Sequence, residues 1–275
     1  MGRTIKHISH ISDDFDFYIC GVNGVLNSGG SFNQEAVETL YKLYQSGKQI
    51  MLASNFAVRV ETLFYELKKC GIPMYIFNSI ITAGEIVHFY LKSKPQVGKM
   101  YYPVVGTESQ IMKGLDYGKT ESPVLADFLL AETSLSEIDL KEKIPLLEQA
   151  LELNLPMICV GNNTSVMINN KVCAGVGCLA EKYALMGGKI IPFGKPDIKI
   201  ASYLTEGLKN FSPEKCLIIG DNMATDMRMG YNLKAKTMLI GSGIHQLSEN
   251  DKYKTNELIS GYGFDVDYFA ENLQW

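Results

Sequence analysis

Four short apolar runs, each closing on small or polar residues, punctuate the chain. Phe17-Tyr18-Ile19-Cys20 leads into Gly21-Val22-Asn23-Gly24, and Gln49-Ile50-Met51-Leu52-Ala53 into Ser54-Asn55. Lys189-Ile190-Ile191-Pro192-Phe193 leads into Gly194-Lys195-Pro196, and Cys216-Leu217-Ile218-Ile219 into Gly220-Asp221. Apolar runs of this length bounded by turn formers read as strands. Helical patterns lie between them. The stretch 33–46 carries Ala36, Leu40, Leu43 and Tyr44 at helix-like spacing and stops at Gly47. The stretch 59–70 carries Leu63 and Leu67, has Lys68 and Lys69 near its end, and is terminated by Gly71-Ile72-Pro73. Strands alternating with helices of this length predict βαβ units and an α/β fold, a doubly wound, Rossmann-like parallel sheet. Ligands bind such sheets at the carboxyl ends of the strands, and all four turn segments sit at carboxyl ends.

The middle of the chain, about 80–180, has strand signals of its own at 101–105, 128–131 and 157–160, with a helical pattern over 142–153. It contains none of the four turn motifs. The organisation expected is a core domain of residues 1–80 and 181–275, with an α/β domain of residues 81–180 inserted into it. No internal repeat or low-complexity stretch is evident.

Composition narrows the function classes. A chain of 275 residues accommodates one large domain or two modest ones. An apolar fraction of 46% with 20% charged residues is that of an ordinary soluble globular protein. The net charge of -4 gives no support to a nucleic-acid partner, which needs a basic stripe. The apolar runs are strand-length, so no membrane span is expected. The N-terminus, Met1-Gly2-Arg3-Thr4-Ile5-Lys6, lacks the apolar core of a signal peptide. Gly2 hints at myristoylation, but Lys6 stands where Ser or Thr is wanted. The six cysteines, Cys20, Cys70, Cys159, Cys173, Cys178 and Cys216, form no C-x-x-C pair. Cys20, Cys159 and Cys216 fall in strand-like runs, where a free thiol behaves as a small hydrophobe. The expectation is a reduced, cytoplasmic protein without a disulfide framework or a zinc site.

The turn segments hold the candidate chemistry. A hydroxyl and nearby backbone N–H groups at Ser54-Asn55 suit a phosphate oxygen, although both residue types also serve as helix N-caps. Lys195 places an ammonium at the sheet edge, where a solvated loop lysine is the plain alternative. Asp221 and Asp226, five residues apart, suit Mg²⁺, which commonly takes one or two carboxylates and completes its shell with water and phosphate. Asp226 could instead cap a helix starting near Thr225.

These segments, taken in order, resemble the haloacid dehalogenase superfamily of phosphatases, subclass IIA, in which an α/β cap is inserted between the second and third motifs. Gly24-Val25-Leu26, Ser54-Asn55, Asn78 to Glu85, Gly187-Gly188 ahead of Phe193-Gly194-Lys195-Pro196, Gly220-Asp221 with Thr225-Asp226, and Gly243-Ile244-His245 all fall in family order. The resemblance covers nearly the whole chain. It implies that Lys195 neutralises phosphate, that the backbone carbonyl of Asn23 serves as a metal ligand, and that His245 lies near the pocket rim.

The resemblance fails where the family does its chemistry. The family's first motif is Asp-x-Asp-Gly-Val, with a nucleophilic Asp and then an acid–base Asp. Here Gly21 and Asn23 occupy those positions. Gly21 cannot form an aspartyl-phosphate, and Asn23 cannot shuttle a proton near neutral pH. Cys20 is no substitute, because alternation along a strand turns it into the packing. Asp13, Asp14 and Asp16 precede the strand on what reads as a solvated entry loop. In the inserted domain, Gly161-Asn162-Asn163 stands where relatives tend to carry Asn-Pro-Asp. The expected function is that of a phosphatase-family protein with an impaired site, binding a small phosphorylated molecule with weakened Mg²⁺. Two alternatives stay open: a working hydrolase in which metal-bound water attacks directly, and a partner-binding module. A second copy of the chain is a further candidate partner.

Overall fold

A computed structural model describes residues 2–28, 31–105, 108–132, 139–168 and 171–275. The chain divides into two compact units. The first comprises Met1–Ser54, Phe64–Ile81 and Lys195–Trp275, and the second Asn55–Leu63 and Thr82–Gly194.

The first unit is built on a seven-stranded sheet. In spatial order its strands are Arg3–Thr4, Tyr268–Ala270, Lys236–Ile240, Cys216–Gly220, Phe17–Gly21, Gln49–Ser54 and Phe77–Thr82. The pairings from Arg3–Thr4 through to Gln49–Ser54 are all parallel. From Phe17–Gly21 the chain moves outward in one direction through Gln49–Ser54, and it later returns to build Cys216–Gly220 and its neighbours on the other side. The strand order therefore reverses between Phe17–Gly21 and Cys216–Gly220, the switch point at which open α/β sheets form their ligand crevice. Every residue of these two strands is buried. Complete burial of each large aliphatic side chain contributes about 1.5–3 kcal/mol relative to exposure, so this pair anchors the unit.

Local rules explain the helices around that sheet. Gln34–Gln45 starts where Asn33 Oδ1 accepts the amide hydrogens of Glu35 and Ala36, at 3.1 and 3.2 Å. It buries Ala36, Val37, Thr39, Leu40 and Leu43, and the chain turns away at Gly47 with φ +77°. Val60–Lys69 ends in the same way at Gly71.

The second unit carries a five-stranded sheet in the order Ile190–Phe193, Met157–Val160, Phe128–Glu132, Met100–Pro103, Gly118–Lys119, parallel throughout. Its two faces are read directly from strand alternation. Leu129, Ala131, Met157 and Cys159 face the helices Leu140–Glu152 and Val176–Leu185, through Leu147, Ala150, Leu179 and Tyr183. Phe128, Leu130, Ile158 and Val160 face the helix Ala83–Lys92, through Ala83, Val87 and Leu91.

This second sheet changes the expected organisation. The run over 189–193 is a strand, but it belongs to the second unit, with Ile190 opposite Met157 and Phe193 opposite Val160. The return to the first unit therefore comes at Lys195 instead of residue 181, and 55–63 also group with the second unit. An apolar run announces a strand but not its partner, and here Met157–Val160 offers the free parallel edge. Among the described residues, no helix is long and apolar enough to cross a membrane.

Candidate functional site

The parallel register of the first unit brings several turn segments side by side. Gly21 pairs with Ala53, and Cys20 with Ile219, so Gly21, Ser54 and Gly220-Asp221 leave the sheet at one level. After Gly21 the chain folds tightly, with the Gly24 N–H donating to the Asn27 carbonyl at 2.7 Å. Gly24 has φ +71°, and a Cβ there would overlap the Asp221 carboxylate, so only glycine fits this turn. Gly243 closes on Asp221 from another loop in the same manner. The adjacent Ile244 N–H donates to Asp221 Oδ2 at 2.8 Å. Asn23 is exposed at the turn.

Asp226 sits on a wide helical turn, Met223–Met227. The turn is capped by Asn222, whose Oδ1 accepts the Ala224 N–H at 2.9 Å, so Asp226 is not the capping residue. Met223 and Met227 lie in an apolar cluster with Leu239, Leu247 and Phe269. The Asp226 carboxylate instead meets Lys195, whose Nζ donates to Asp226 Oδ1 at 2.6 Å and to the Ala53 carbonyl at 3.0 Å. Lys195 is 5% exposed and Asp226 3%, so this ion pair is sealed from solvent. Lys195 is held at the end of the Gln49–Ser54 strand, one residue from Ser54, against a carboxylate 31 positions away in sequence.

Gly21 opens onto this pair. A Cβ at residue 21 would lie 3.6 Å from Lys195 Nζ and 3.2 Å from Asp226 Oδ1. The position therefore places a Cβ beside both members of the pair, the Asp226 carboxylate being the nearer, and the sequence supplies none. Cys20, the neighbour, is fully buried, and desolvation raises its thiol far above the ordinary range. It cannot act as a thiolate nucleophile.

Two buried carboxylates share one ammonium, and the electrostatics follow. Burial first, and the Asp226 charge second, push Asp221 up from 3.8 to about 7. The folded pKa thus exceeds the unfolded one. The folded state keeps a proton that the unfolded chain releases, and the resulting stability is fully present below about pH 4 and lost as pH rises to about 7. Asp221→Asn, which mimics the protonated acid, is accordingly expected to gain on the wild type between these limits by up to about 1.4 kcal/mol per pH unit. Denaturant unfolding in chelator at pH 4.5 and 7.5, each value bracketed by about one unit, reads this difference. A variant-minus-wild-type difference that stays flat with pH would refute the burial argument.

The other candidates are placed as follows. Ser54 is buried at the strand end. The helix that follows begins at Val60, whose N–H is capped by Glu85 Oε2 at 2.9 Å, so Ser54 and Asn55 do not cap it. Asn55 belongs to the second unit, where its Nδ2 donates to Asn163 Oδ1 at 2.6 Å. Asn163 was not among the candidates, because the segment 161–163 lacks the proline and carboxylate expected of relatives. His245 is half-buried, and desolvation lowers it to about 4. Its Nε2 accepts the Met223 N–H at 3.2 Å, which ties it to the turn bearing Asp226. The packing of Gly243 and Ile244 on Asp221 was also missed, although Gly241-Ser242-Gly243 is the kind of segment that permits close backbone approach. Among the described residues no group of three or more His, Cys, Asp or Glu could hold a metal ion.

The chain is similar to known proteins in sequence and in fold. A family model for haloacid dehalogenase-like hydrolases matches residues 18–117, and a HAD-hydrolase-like model matches residues 192–273. The chain is 25% identical over 245 residues to the ribonucleotide monophosphatase NagD of Escherichia coli K12, covering 85% of this chain and 90% of that one. A haloacid dehalogenase-like hydrolase from Brucella suis 1330 superposes with a TM-score of 0.83 at 20% identity, over 98% of this chain and 99% of the other. A p-nitrophenyl phosphatase from Archaeoglobus fulgidus gives 0.72 at 19% identity, over 94% and 97%.

Proposed function

The chain belongs to the haloacid dehalogenase superfamily of phosphatase-like proteins, and from that premise we propose that it is a catalytically impaired member that retains a site for a small phosphorylated ligand. The observation that carries this reading is Gly21, whose missing side chain would have faced Lys195 Nζ across 3.6 Å. Loss of a covalent enzyme's nucleophile costs roughly 10⁶ in kcat. Neither Asn23, an exposed amide, nor Cys20, a buried and protonated thiol, makes up for it.

Binding and turnover separate at such a site. Phosphate-binding roles fall to Ser54, Asn55 and Lys195. Glycine in place of a carboxylate removes a like charge from beside the phosphate. At about 4 Å that repulsion is worth roughly 1–4 kcal/mol for effective dielectrics of 80 to 20. The names of the NagD and p-nitrophenyl phosphatase relatives support a small phosphorylated molecule as the ligand class. Mg²⁺ would be held by Asp221 and Asp226 together with the Asn23 carbonyl. The fit rests on two carboxylates, Asp221 and Asp226, held out of solvent; burial first and the neighbouring charge second lift Asp221, and a cation would relieve both. When bound, the metal would supply neutralising charge. The missing carboxylate at residue 21 weakens that hold, and Lys195 competes for Asp226. Six free cysteines support a reducing, cytoplasmic setting.

Turnover of generic phosphomonoesters is expected at background. Phosphate or sulfate at about 10 mM is expected to raise the melting temperature by a few degrees, more so with Mg²⁺. Lys195→Ala is expected to abolish that shift, and Asp221→Asn only its Mg²⁺-dependent part. A kcat above about 1 s⁻¹ that depends on Lys195 would replace this reading with a working hydrolase. No anion shift in the wild type would replace it with a partner-binding module.

A further inference from the structure

A cavity of about 300 Å³ lies in the first unit, lined by His245, Leu247, Lys254, Glu257 and Leu258. This lies at the small end of the size range of small-molecule sites. None of these residues belongs to the Lys195–Asp226–Asp221 group. Two elements build the cavity. Lys254, Glu257 and Leu258 stand three and four residues apart on the helix Lys252–Ser260 and so share one face. His245 and Leu247 come from the preceding loop, where Gln246 between them takes the left-handed backbone with φ +48°. Its carbonyl accepts from Lys254 Nζ at 3.1 Å, which fixes the lysine at the cavity edge and leaves two of its three N–H donors for other partners.

The lining carries side chains of both charge signs. His245 Nε2 accepts the Met223 N–H, so the ring proton is on Nδ1 and offers a donor. Lys254 supplies a cation and Glu257 an anion. Although three residues apart on one helix face, they form no ion pair with each other, and neither is ion-paired among the described residues. Leu247, 3% exposed, and Leu258 supply the apolar wall. We propose that this cavity binds a free α-amino acid with an aliphatic side chain. Its carboxylate meets Lys254 and the His245 Nδ1–H, its ammonium meets Glu257, and its side chain packs on Leu247 and Leu258. Occupancy reaches the neighbouring site through the Met223–His245 hydrogen bond, because Met223 begins the turn that carries Asp226.

The test is a titration of the ¹⁵N-labelled full chain with L-leucine, followed by two-dimensional NMR. Saturable shifts with a Kd on the order of 1 mM are expected at 243–258 and at the Met223 amide. Lys254→Ala and Glu257→Ala, both at exposed positions on the helix, are each expected to weaken binding about tenfold, as are leucinamide and isovalerate in place of leucine. The absence of saturable shifts would overturn the proposal. So would equal binding of isovalerate and leucine, or full binding by the Lys254→Ala/Glu257→Ala double variant. The anion experiment above does not involve these residues, so either reading can fail alone.

Discussion

Gly21→Asp combined with Asn23→Asp is expected to turn this protein into a measurable phosphatase, while either change alone is not. The backbone at Gly21 already directs a side chain toward Lys195 Nζ, and Asp226 Oδ1, 3.2 Å from the added Cβ, needs to give by only a few tenths of an ångström. A carboxylate there supplies a nucleophile beside a cation, a component worth roughly 10⁶ in kcat. The single Gly21→Asp variant still lacks an acid for the leaving group, an effect of about 10²–10⁴ in rate. It is therefore expected to accumulate phosphoenzyme faster than it turns over. Asn23 is exposed, so its replacement by Asp carries no packing cost. Radiolabelled phosphoenzyme trapping and steady-state turnover measure the two steps. A folded double variant showing neither would mean that the rest of the site no longer supports the chemistry, and that the family mechanism cannot be recovered from these two positions.

Removing Lys195 is expected to produce a large loss of stability. Lys195→Met leaves Asp226, 3% exposed, without its 2.6 Å partner and beside a second buried carboxylate. Breaking a buried pair in this way costs about 3–5 kcal/mol, because the remaining charge is uncompensated. For a chain of this size that corresponds to a fall in melting temperature of roughly 6–20 °C. The double variant Lys195→Met/Asp226→Leu removes both charges and is expected to recover most of the loss, since buried pairs and apolar replacements are often close in stability. Calorimetry on the three proteins decides the matter. A single-variant loss below about 1 kcal/mol would show that the pair is solvated in solution, and a double variant no better than the single would show that packing, not charge, sets the cost.

Much of the architecture is legible one segment at a time. The runs at 17–20, 49–53 and 216–219 are strands, and 33–46 and 59–70 contain helices, because short continuous apolar runs, helical spacing and glycine stops are properties of neighbouring residues. The α/β class follows from the alternation of these segments. The absence of carboxylates at Gly21 and Asn23 is likewise a fact of the sequence alone.

What lay beyond the sequence is pairing across distance. The strand Ile190–Phe193 reads the same whichever sheet it joins, and only the open edge of Met157–Val160 assigns it. Lys195 and Asp226 are 31 positions apart, and Asn55 and Asn163 are 108 apart. No periodicity links such positions, so propensity identified the residues but not their contacts. Asp221 shows the difference most clearly. Its position after Gly220 marked it as a site carboxylate. Its raised pKa needed the burial that the close walls of Gly24 and Gly243 bring and the proximity of Asp226, with the Ile244 N–H pulling the other way. Local sequence thus determined the strands, the helices and the inventory of polar groups. Burial and charge proximity, which exist only once distant segments share one low-dielectric space, decided what those groups can do.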